Sequence, residues 1–209
     1  CMTTPLLISV DELVAITQTT ALSGFIDDPA YLRGDAVWLF SGRKDTVVDS
    51  GVVDKVSAYY TALGVENIEM INSVNAEHSM PTRAWGNPCP FKGEPYINNC
   101  GYDAAGEILP HLLNNSASPK PVLRPPGASY IPSNIIHFPQ RPYYSGIDWE
   151  GSGLAEDGIA YVPRQCAEMG DRLRQPDDHG RGSGGAPCRL HVVYHGCLQN
   201  YLTINSSYV

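Results

Sequence analysis

The sequence lacks the features that mark three large classes of protein. None of its six cysteines forms a Cys-x-x-Cys pair, so a structural zinc site is not expected. No window is long and apolar enough to span a membrane. Basic residues are few: 14 lysines and arginines stand against 22 aspartates and glutamates, which gives a formal net charge of −8. That balance argues against nucleic-acid binding.

The cysteines indicate an oxidising compartment. An even number of cysteines without metal-ligand spacing favours disulfides and a secreted protein. Asn114-Asn115-Ser116 and Asn205-Ser206-Ser207 are glycosylation sequons, which add weak support. No signal peptide is visible, and the chain begins at Cys1 rather than at methionine, so we expect the natural N-terminus to lie upstream.

The stretch from Ala36 to Pro81 carries the main chemical pattern. Asp45 follows the apolar run Ala36–Phe40, and His78 follows a second apolar run, Asn67–Ile71. In a doubly wound α/β sheet, the loops after the strands lie together at the carboxyl ends, where sites collect. We therefore expect Asp45 and His78 on neighbouring loops, where an aspartate fixes the tautomer of a histidine. The alternative is a turn acid and an unrelated loop histidine.

Local signals place helices around these strands. Ser9 and Glu12 form a capping-box pattern at the start of a first helix. Ser50 is placed to cap a second helix, and Gly64 is placed to end it. The apolar residues of this second helix recur at helical spacing and are predicted to be core: Val53, Val56, Tyr59, Tyr60 and Leu63. A third helix is predicted over residues 102–113, with a kink or an early end at Pro110.

Composition divides the chain into three parts. Residues 1–115 form an α/β part that carries Asp45 and His78, residues 116–150 a Pro-rich linker, and residues 151–209 a second α/β part. Strands are predicted at 158–163 and 188–194. The Gly-rich excursion 167–187 contains Asp177-Asp178-His179, which is interpreted as a solvated loop because no further ligand stands at matching spacing.

The segment His195-Gly196-Cys197-Leu198-Gln199 follows the last predicted strand. It resembles the oxyanion loop of secreted poly(hydroxybutyrate) depolymerases and related polyester and feruloyl esterases, which are α/β-hydrolases. In an ordinary member that loop precedes the nucleophile, the acid and the base. Here Asp45 and His78 come first, so the chain resembles the circularly permuted type of depolymerase. Three further stretches fit that type: 95–103, 158–163 and 190–201.

The resemblance implies a role for three residues. Asp45 is the expected triad acid, and His78 the general base. The backbone N–H of Cys197 is the expected oxyanion donor. His195 is interpreted as shaping the turn.

The resemblance also bears on the cysteines. We predict the pairs Cys89–Cys100, which closes a short loop, and Cys166–Cys188, which flanks the excursion. Cys1 and Cys197 are expected to lack partners within the chain, because their family counterparts pair with segments absent here.

The expected nucleophile is missing. No Gly-x-Ser-x-Gly occurs, and Ser152 and Ser183, although they lie between glycines, follow no strand. We therefore expect a fragment cut at both ends, a partial α/β-hydrolase that is inactive alone. Its last strand, near 190–194, is predicted to form no ladder with residues 37–40 or 68–71. The alternative is a short protein without catalysis.

The expected function of the intact protein is hydrolysis of the ester bonds of poly(3-hydroxybutyrate) or a similar polyester by a Ser-His-Asp mechanism. The expected partner is an ester substrate, with no cofactor and no metal. One alternative is an esterase for feruloyl or acetyl groups on plant polysaccharide. Another is a non-catalytic polymer-binding protein, in which Trp38, Trp85 and Trp149 supply a surface platform.

Overall fold

The structure is a computed structural model, and it describes residues 2–113, 132–146, 155–164, 166–167 and 191–193. The chain divides into two compact units, Cys1–Pro126 with Tyr194–Val209, and Gly127–Val193. In the first unit, helices pack against short parallel sheets, so the predicted α/β class is confirmed. The predicted three-part division of the chain stays a prediction.

The regular elements are short. The α-helices are α1 (Val10–Leu22), α2 (Ser50–Ala62) and α3 (Ala104–Leu113). The strands are β1 (Ala36–Phe40), β2 (Asn67–Ile71), β3 (Met80–Thr82), β4 (Asn87–Pro88), β5 (Ile97–Asn99), β6 (Ile135–Pro139) and β7 (Asp157–Tyr161). Four 3₁₀ turns, Pro5–Leu7, Pro29–Gly34, Pro132–Asn134 and Arg141–Tyr143, complete the elements of the part of the chain that the structure describes.

The predicted strand–helix–strand unit is confirmed. β1 and β2 are parallel neighbours, with Val37 opposite Ile68 and Phe40 opposite Ile71, and α2 connects them. Parallel strands need such a crossover connection. Because both strands run in the same direction, the loops that follow them leave from the same edge of the sheet.

Side chains cap the N-termini of α1 and α2, and one of the two predicted caps is wrong. The hydroxyl of Ser9 accepts the N–H of Glu12 at 3.2 Å, as predicted for the start of α1. The cap of α2 is Asp49 and not Ser50: its carboxylate accepts the N–H of Gly51 at 2.8 Å. Serine and aspartate are both good N-caps, so the sequence alone does not decide which of these two adjacent residues caps the helix.

A second parallel sheet follows the histidine loop. Its strand order is β3-β5-β4. Asn98, in the middle of β5, is fully buried, and its amide donates to the carbonyls of Cys89 at 3.0 Å and Phe91 at 2.7 Å. A buried side chain thus holds the segment after β4 against β5.

The second unit contains a strand, β6, that was not predicted from the sequence. Residues 135–139, assigned to the linker, form β6, which pairs antiparallel with β7. Ile135 and Ile136 supply β-branched side chains that favour a strand, a local signal outweighed by the surrounding prolines. β7 confirms the strand expected from Gly158, with a start one residue earlier.

The predicted last strand is wrong for its described part. His191–Val193 have no regular secondary structure, and the other residues of 188–194 lie outside the described ranges. The predicted absence of a ladder from this segment to β1 and β2 therefore stays a prediction.

The core is small among the described residues. Leu63, Val65, Ala76 and Ala104 are its buried apolar members. Of the second-helix residues predicted to be core, Leu63, which directly follows α2, is buried, and Val56 is exposed. Helical spacing identifies the apolar face of a helix but not what covers it. None of the described helices has the length and apolar character that a membrane crossing requires.

Candidate active site

Two loops meet at the carboxyl ends of β1 and β2. Their backbones are joined by hydrogen bonds that continue past the strands: Ser41 N–H to Ile71 O at 2.9 Å, Arg43 N–H to Val74 O at 2.8 Å, and Lys44 N–H to Ala76 O at 3.0 Å. The two loops are therefore fixed relative to one another before any side chain contributes.

Gly42 makes this close approach possible. A Cβ at this position would stand 2.3 Å from the carbonyl oxygen of Ala76, which is a backbone atom. The clash involves no flexible side chain that could move away. Gly42 is thus required by the space between the two loops.

The Asp45 carboxylate is fixed at both of its oxygens. Oδ1 accepts the N–H groups of Val47 and Val48, each at 2.8 Å, in a local turn typical of aspartate. Oδ2 lies 3.0 Å from Nδ1 of His78. Only 11% of the Asp45 side chain is exposed, so solvent competes little for this carboxylate.

His78 is oriented by that contact. The 3.0 Å distance confirms the prediction that Asp45 and His78 lie within hydrogen-bond range. Because the carboxylate is an acceptor, Nδ1 carries the proton in the neutral ring, and Nε2 keeps its lone pair. The side chain is 41% exposed, and the ring of Tyr96 stands edge-on to the imidazole at 6.1 Å. The available nitrogen can therefore accept a proton from a bound group.

A second histidine gives an instructive comparison. Nδ1 of His111 lies 3.0 Å from a carboxylate oxygen of Glu69, and its Nε2 lies 3.0 Å from the carbonyl oxygen of Val37. Both nitrogens of this ring therefore contact oxygen acceptors, and 11% of the side chain is exposed. His111 ties α3 to β1 and β2 and is unsuited to proton transfer.

Two residues at the site were missed from the sequence. Thr46 follows Asp45, and Glu77 precedes His78; the Thr46 N–H donates to the two carboxylate oxygens of Glu77 at 2.9 and 3.2 Å. The Thr46 hydroxyl also donates to Glu77 Oε1. From the sequence, a glutamate next to a loop histidine is expected to be exposed to solvent. Glu77 is only 4% exposed, and this burial depends on tertiary contacts.

The predicted disulfide Cys89–Cys100 is confirmed, with a Cα–Cα distance of 4.7 Å. It joins the residues that follow β4 and β5. The carbonyl of Cys89 accepts the N–H of Glu77 at 3.2 Å, so the crosslinked loop contacts the histidine loop. Cys166 is also in a disulfide. Its predicted partner Cys188 lies outside the described residues, as do Cys1 and Cys197.

The oxyanion segment around Cys197 and the serines 152 and 183 likewise lie outside the described residues. So does Asp177-Asp178-His179. Within the described ranges no group of three or more His, Cys, Asp or Glu side chains is placed to hold a metal ion.

A polar cavity of about 520 Å³ lies beside the two loops, and the dyad of Asp45 and His78 is not part of its wall. It is lined by Ser41, Gly42, Arg43, Ser50, Asp54, Asn72 and Ser73.

Comparison with known proteins relates this geometry to one group of enzymes. No protein-family model matches the chain. A poly(3-hydroxybutyrate) depolymerase of Delftia acidovorans is 36% identical over 210 residues, which cover 100% of this chain and 37% of the relative. A polyhydroxybutyrate depolymerase of Talaromyces funiculosus is 28% identical over 177 residues, 83% of this chain and 44% of the relative.

Comparison with solved structures identifies the same group of enzymes. The crystal structure of a PHB depolymerase from Penicillium funiculosum has a TM-score of 0.70 at 27% identity, over 95% of this chain and 55% of that chain. A PHB depolymerase complexed with an R3HB trimer has the same TM-score at 28% identity. The chain thus spans less than half the length of the two curated relatives. Sequence and fold together confirm that the chain is a homologue of the poly(3-hydroxybutyrate) depolymerases, as its motifs predicted.

Proposed function

We propose that this chain supplies the acid and the base of a serine-esterase site that hydrolyses poly(3-hydroxybutyrate) or a similar polyester. The observation that carries the proposal is the 3.0 Å contact between Asp45 Oδ2 and His78 Nδ1, with Nε2 left to accept a proton. The names of the relatives and structural neighbours, all depolymerases, support the substrate class.

The chemistry follows from the two ring nitrogens. His78 Nε2 takes the proton of a serine hydroxyl as its oxygen attacks the ester carbonyl, and the Asp45 carboxylate stabilises the resulting imidazolium. The tetrahedral intermediate then expels the alcohol, which receives the proton from Nε2. Water, deprotonated by the same nitrogen, attacks the acyl-serine; the serine oxygen then leaves with the proton from Nε2, and the acid is released. This mechanism uses no cofactor.

Other parts of the mechanism remain sequence predictions. The Cys197 N–H is the proposed oxyanion donor, and the nucleophilic serine is proposed to lie outside these 209 residues. Circular permutation is supported by chain order, because Asp45 and His78 precede the His195-Gly196-Cys197 segment. Secretion is supported by the Cys89–Cys100 disulfide, since such bonds persist in oxidising compartments.

The test is hydrolysis by the protein expressed from its complete natural coding sequence. We expect release of 3-hydroxybutyrate from amorphous polymer and from 3-hydroxybutyrate oligomers, and loss of at least about 10³-fold in kcat for His78→Ala, since catalysis without the base retains only binding and oxyanion stabilisation. His137→Ala is the matched control, because His137 is an exposed histidine on β6.

Three outcomes separate the hypotheses. Unchanged turnover by a folded His78→Ala variant would remove His78 from the mechanism. Release of ferulate or acetate from plant polysaccharide, without release of 3-hydroxybutyrate, would favour the carbohydrate-esterase alternative. Binding to polymer without any hydrolysis would favour the binding protein.

A further inference from the structure

A second pair of residues bridges the two loops beside the dyad. Asp45 contacts His78, and the next residue, Thr46, contacts the preceding residue, Glu77. The Thr46 N–H and hydroxyl both donate to the Glu77 carboxylate. With two adjacent side-chain contacts, one loop cannot easily rotate relative to the other. The Thr46–Glu77 contact therefore limits the movement of Asp45 and His78 relative to one another.

The environment of Glu77 gives this pair its strength. Glu77 is 4% exposed, and a carboxylate out of water needs hydrogen-bond donors. Among the described residues, the N–H and the hydroxyl of Thr46 are these donors. Lys92 Nζ lies 3.0 Å from the Thr46 hydroxyl oxygen. Because an ammonium only donates, that oxygen accepts from Lys92 and its own proton points to Glu77.

Glu77 is also held through its backbone. Its N–H donates to the carbonyl of Cys89, in the loop closed by the disulfide to Cys100. The residue before His78 is therefore fixed at its main chain and at its side chain. The direction in which the His78 imidazole leaves the loop depends on that fixed point.

We propose that Thr46 and Glu77 are positioning residues for the dyad. They set the separation of the Asp45 and His78 loops, and so hold Nδ1 on the carboxylate and Nε2 toward the reacting group. The catalytic consequence of this inference rests on the proposed function, whereas the orientation of the imidazole does not. A misplacement of about 1 Å at a catalytic group can lower the rate by about 10²-fold.

The first test is Thr46→Val, which keeps the shape of the side chain and removes its hydroxyl. We expect kcat to fall about tenfold with KM within about twofold, because ground-state binding is untouched. Thr46→Ser, which restores the hydroxyl, is expected to recover the wild-type kcat to within about threefold. Thr61→Val is the matched control, since among the described residues the Thr61 hydroxyl bonds within α2, to the carbonyl of Ser57.

The second test reads the imidazole directly. In protein labelled with ¹⁵N-histidine, we expect the wild-type His78 to show Nδ1 protonated and Nε2 unprotonated, with a low-field Nδ1 proton. Thr46→Val is expected to weaken that proton signal and to mix the tautomers, whereas Thr61→Val leaves both unchanged. A residue that supports stability alone would lower the unfolding temperature without changing this spectrum.

The outcomes are decisive in each direction. Wild-type His78 resonances and wild-type kcat in Thr46→Val would overturn the inference, as would a loss of kcat that Thr46→Ser does not restore. If Thr46→Val does not fold, Glu77→Gln, which keeps one acceptor oxygen, decides by the same two readouts. If the wild-type protein hydrolyses no ester, the proposed function fails, and the spectrum alone confirms or overturns the positioning role.

Discussion

At the residue scale, His78 and His111 differ in what the second nitrogen of each ring contacts. His78 and His111 each lie 3.0 Å from a carboxylate, so a search for histidine–acid pairs finds both. Nε2 of His111 is taken by the carbonyl of Val37, whereas His78 is more exposed and its Nε2 has no such contact among the described residues. Proton transfer requires an available nitrogen as well as an orienting acid, and of these two histidines His78 meets both conditions.

Asp45→Asn tests the orienting role of the acid. The asparagine oxygen can still accept the N–H groups of Val47 and Val48, but its NH₂ group then faces Nδ1 of His78. A donor at that position forces the ring proton onto Nε2, the nitrogen that must act as base. We expect kcat to fall by about 10⁴-fold with little change in the fold, as measured by ester hydrolysis and circular dichroism.

The matched control for this substitution is Asp28→Asn. Asp28 also accepts a backbone N–H, that of Ala30 at 2.8 Å, and asparagine caps as well as aspartate. We expect wild-type turnover from this variant. Turnover of Asp45→Asn within about tenfold of the wild type would show that the dyad does not depend on the carboxylate.

At the scale of the elements, the loops after β1 and β2 form one structure rather than two. Strand direction brings them to one edge of the sheet, backbone hydrogen bonds join them, and Gly42 lets them touch. Side-chain pairs then complete the contact.

Gly42→Ala measures how much depends on this approach. The new methyl group would overlap the carbonyl of Ala76, so the loops must separate and the Lys44 N–H to Ala76 O bond must lengthen. We expect the free energy of unfolding to fall by about 1–3 kcal/mol in urea denaturation. Gly34→Ala is the control, because nothing lies within 4 Å of a Cβ there. Equal stability of the two variants would contradict the close approach.

The sequence predicts these elements where local signals agree with tertiary structure. Apolar runs located β1 and β2, and the Ser9 pattern located the start of α1. The dyad was predictable because strand order fixes which loops meet. The Thr46–Glu77 contact was not, since burial of a charged side chain depends on neighbours distant in the chain. β6 was missed because five prolines between 119 and 132 dominated the composition there.

At the scale of the whole molecule, many large apolar side chains of the described residues are exposed. Leu6 is 93% exposed, Leu22 is 90% exposed, and Leu7 and Phe25 are nearly as exposed. Exposed apolar residues are ordinary when scattered singly, but these three leucines and one phenylalanine all lie in the first 25 residues. The buried apolar residues of the described ranges are few by comparison, so hydrophobic burial stabilises this part of the chain weakly.

This distribution leads to a prediction for the 209-residue chain in isolation. We expect strong binding of the dye ANS, which detects exposed apolar surface, and a free energy of unfolding below the usual range of about 5–15 kcal/mol. Replacing Leu6 and Leu22 by serine should reduce dye binding without loss of stability, because neither side chain is buried. Val65→Ala, at a position with 3% exposure, should instead destabilise the chain by about 2 kcal/mol. A chain that leaves ANS fluorescence unchanged and unfolds with ordinary stability must bury these leucines, and the surface described above would then be wrong.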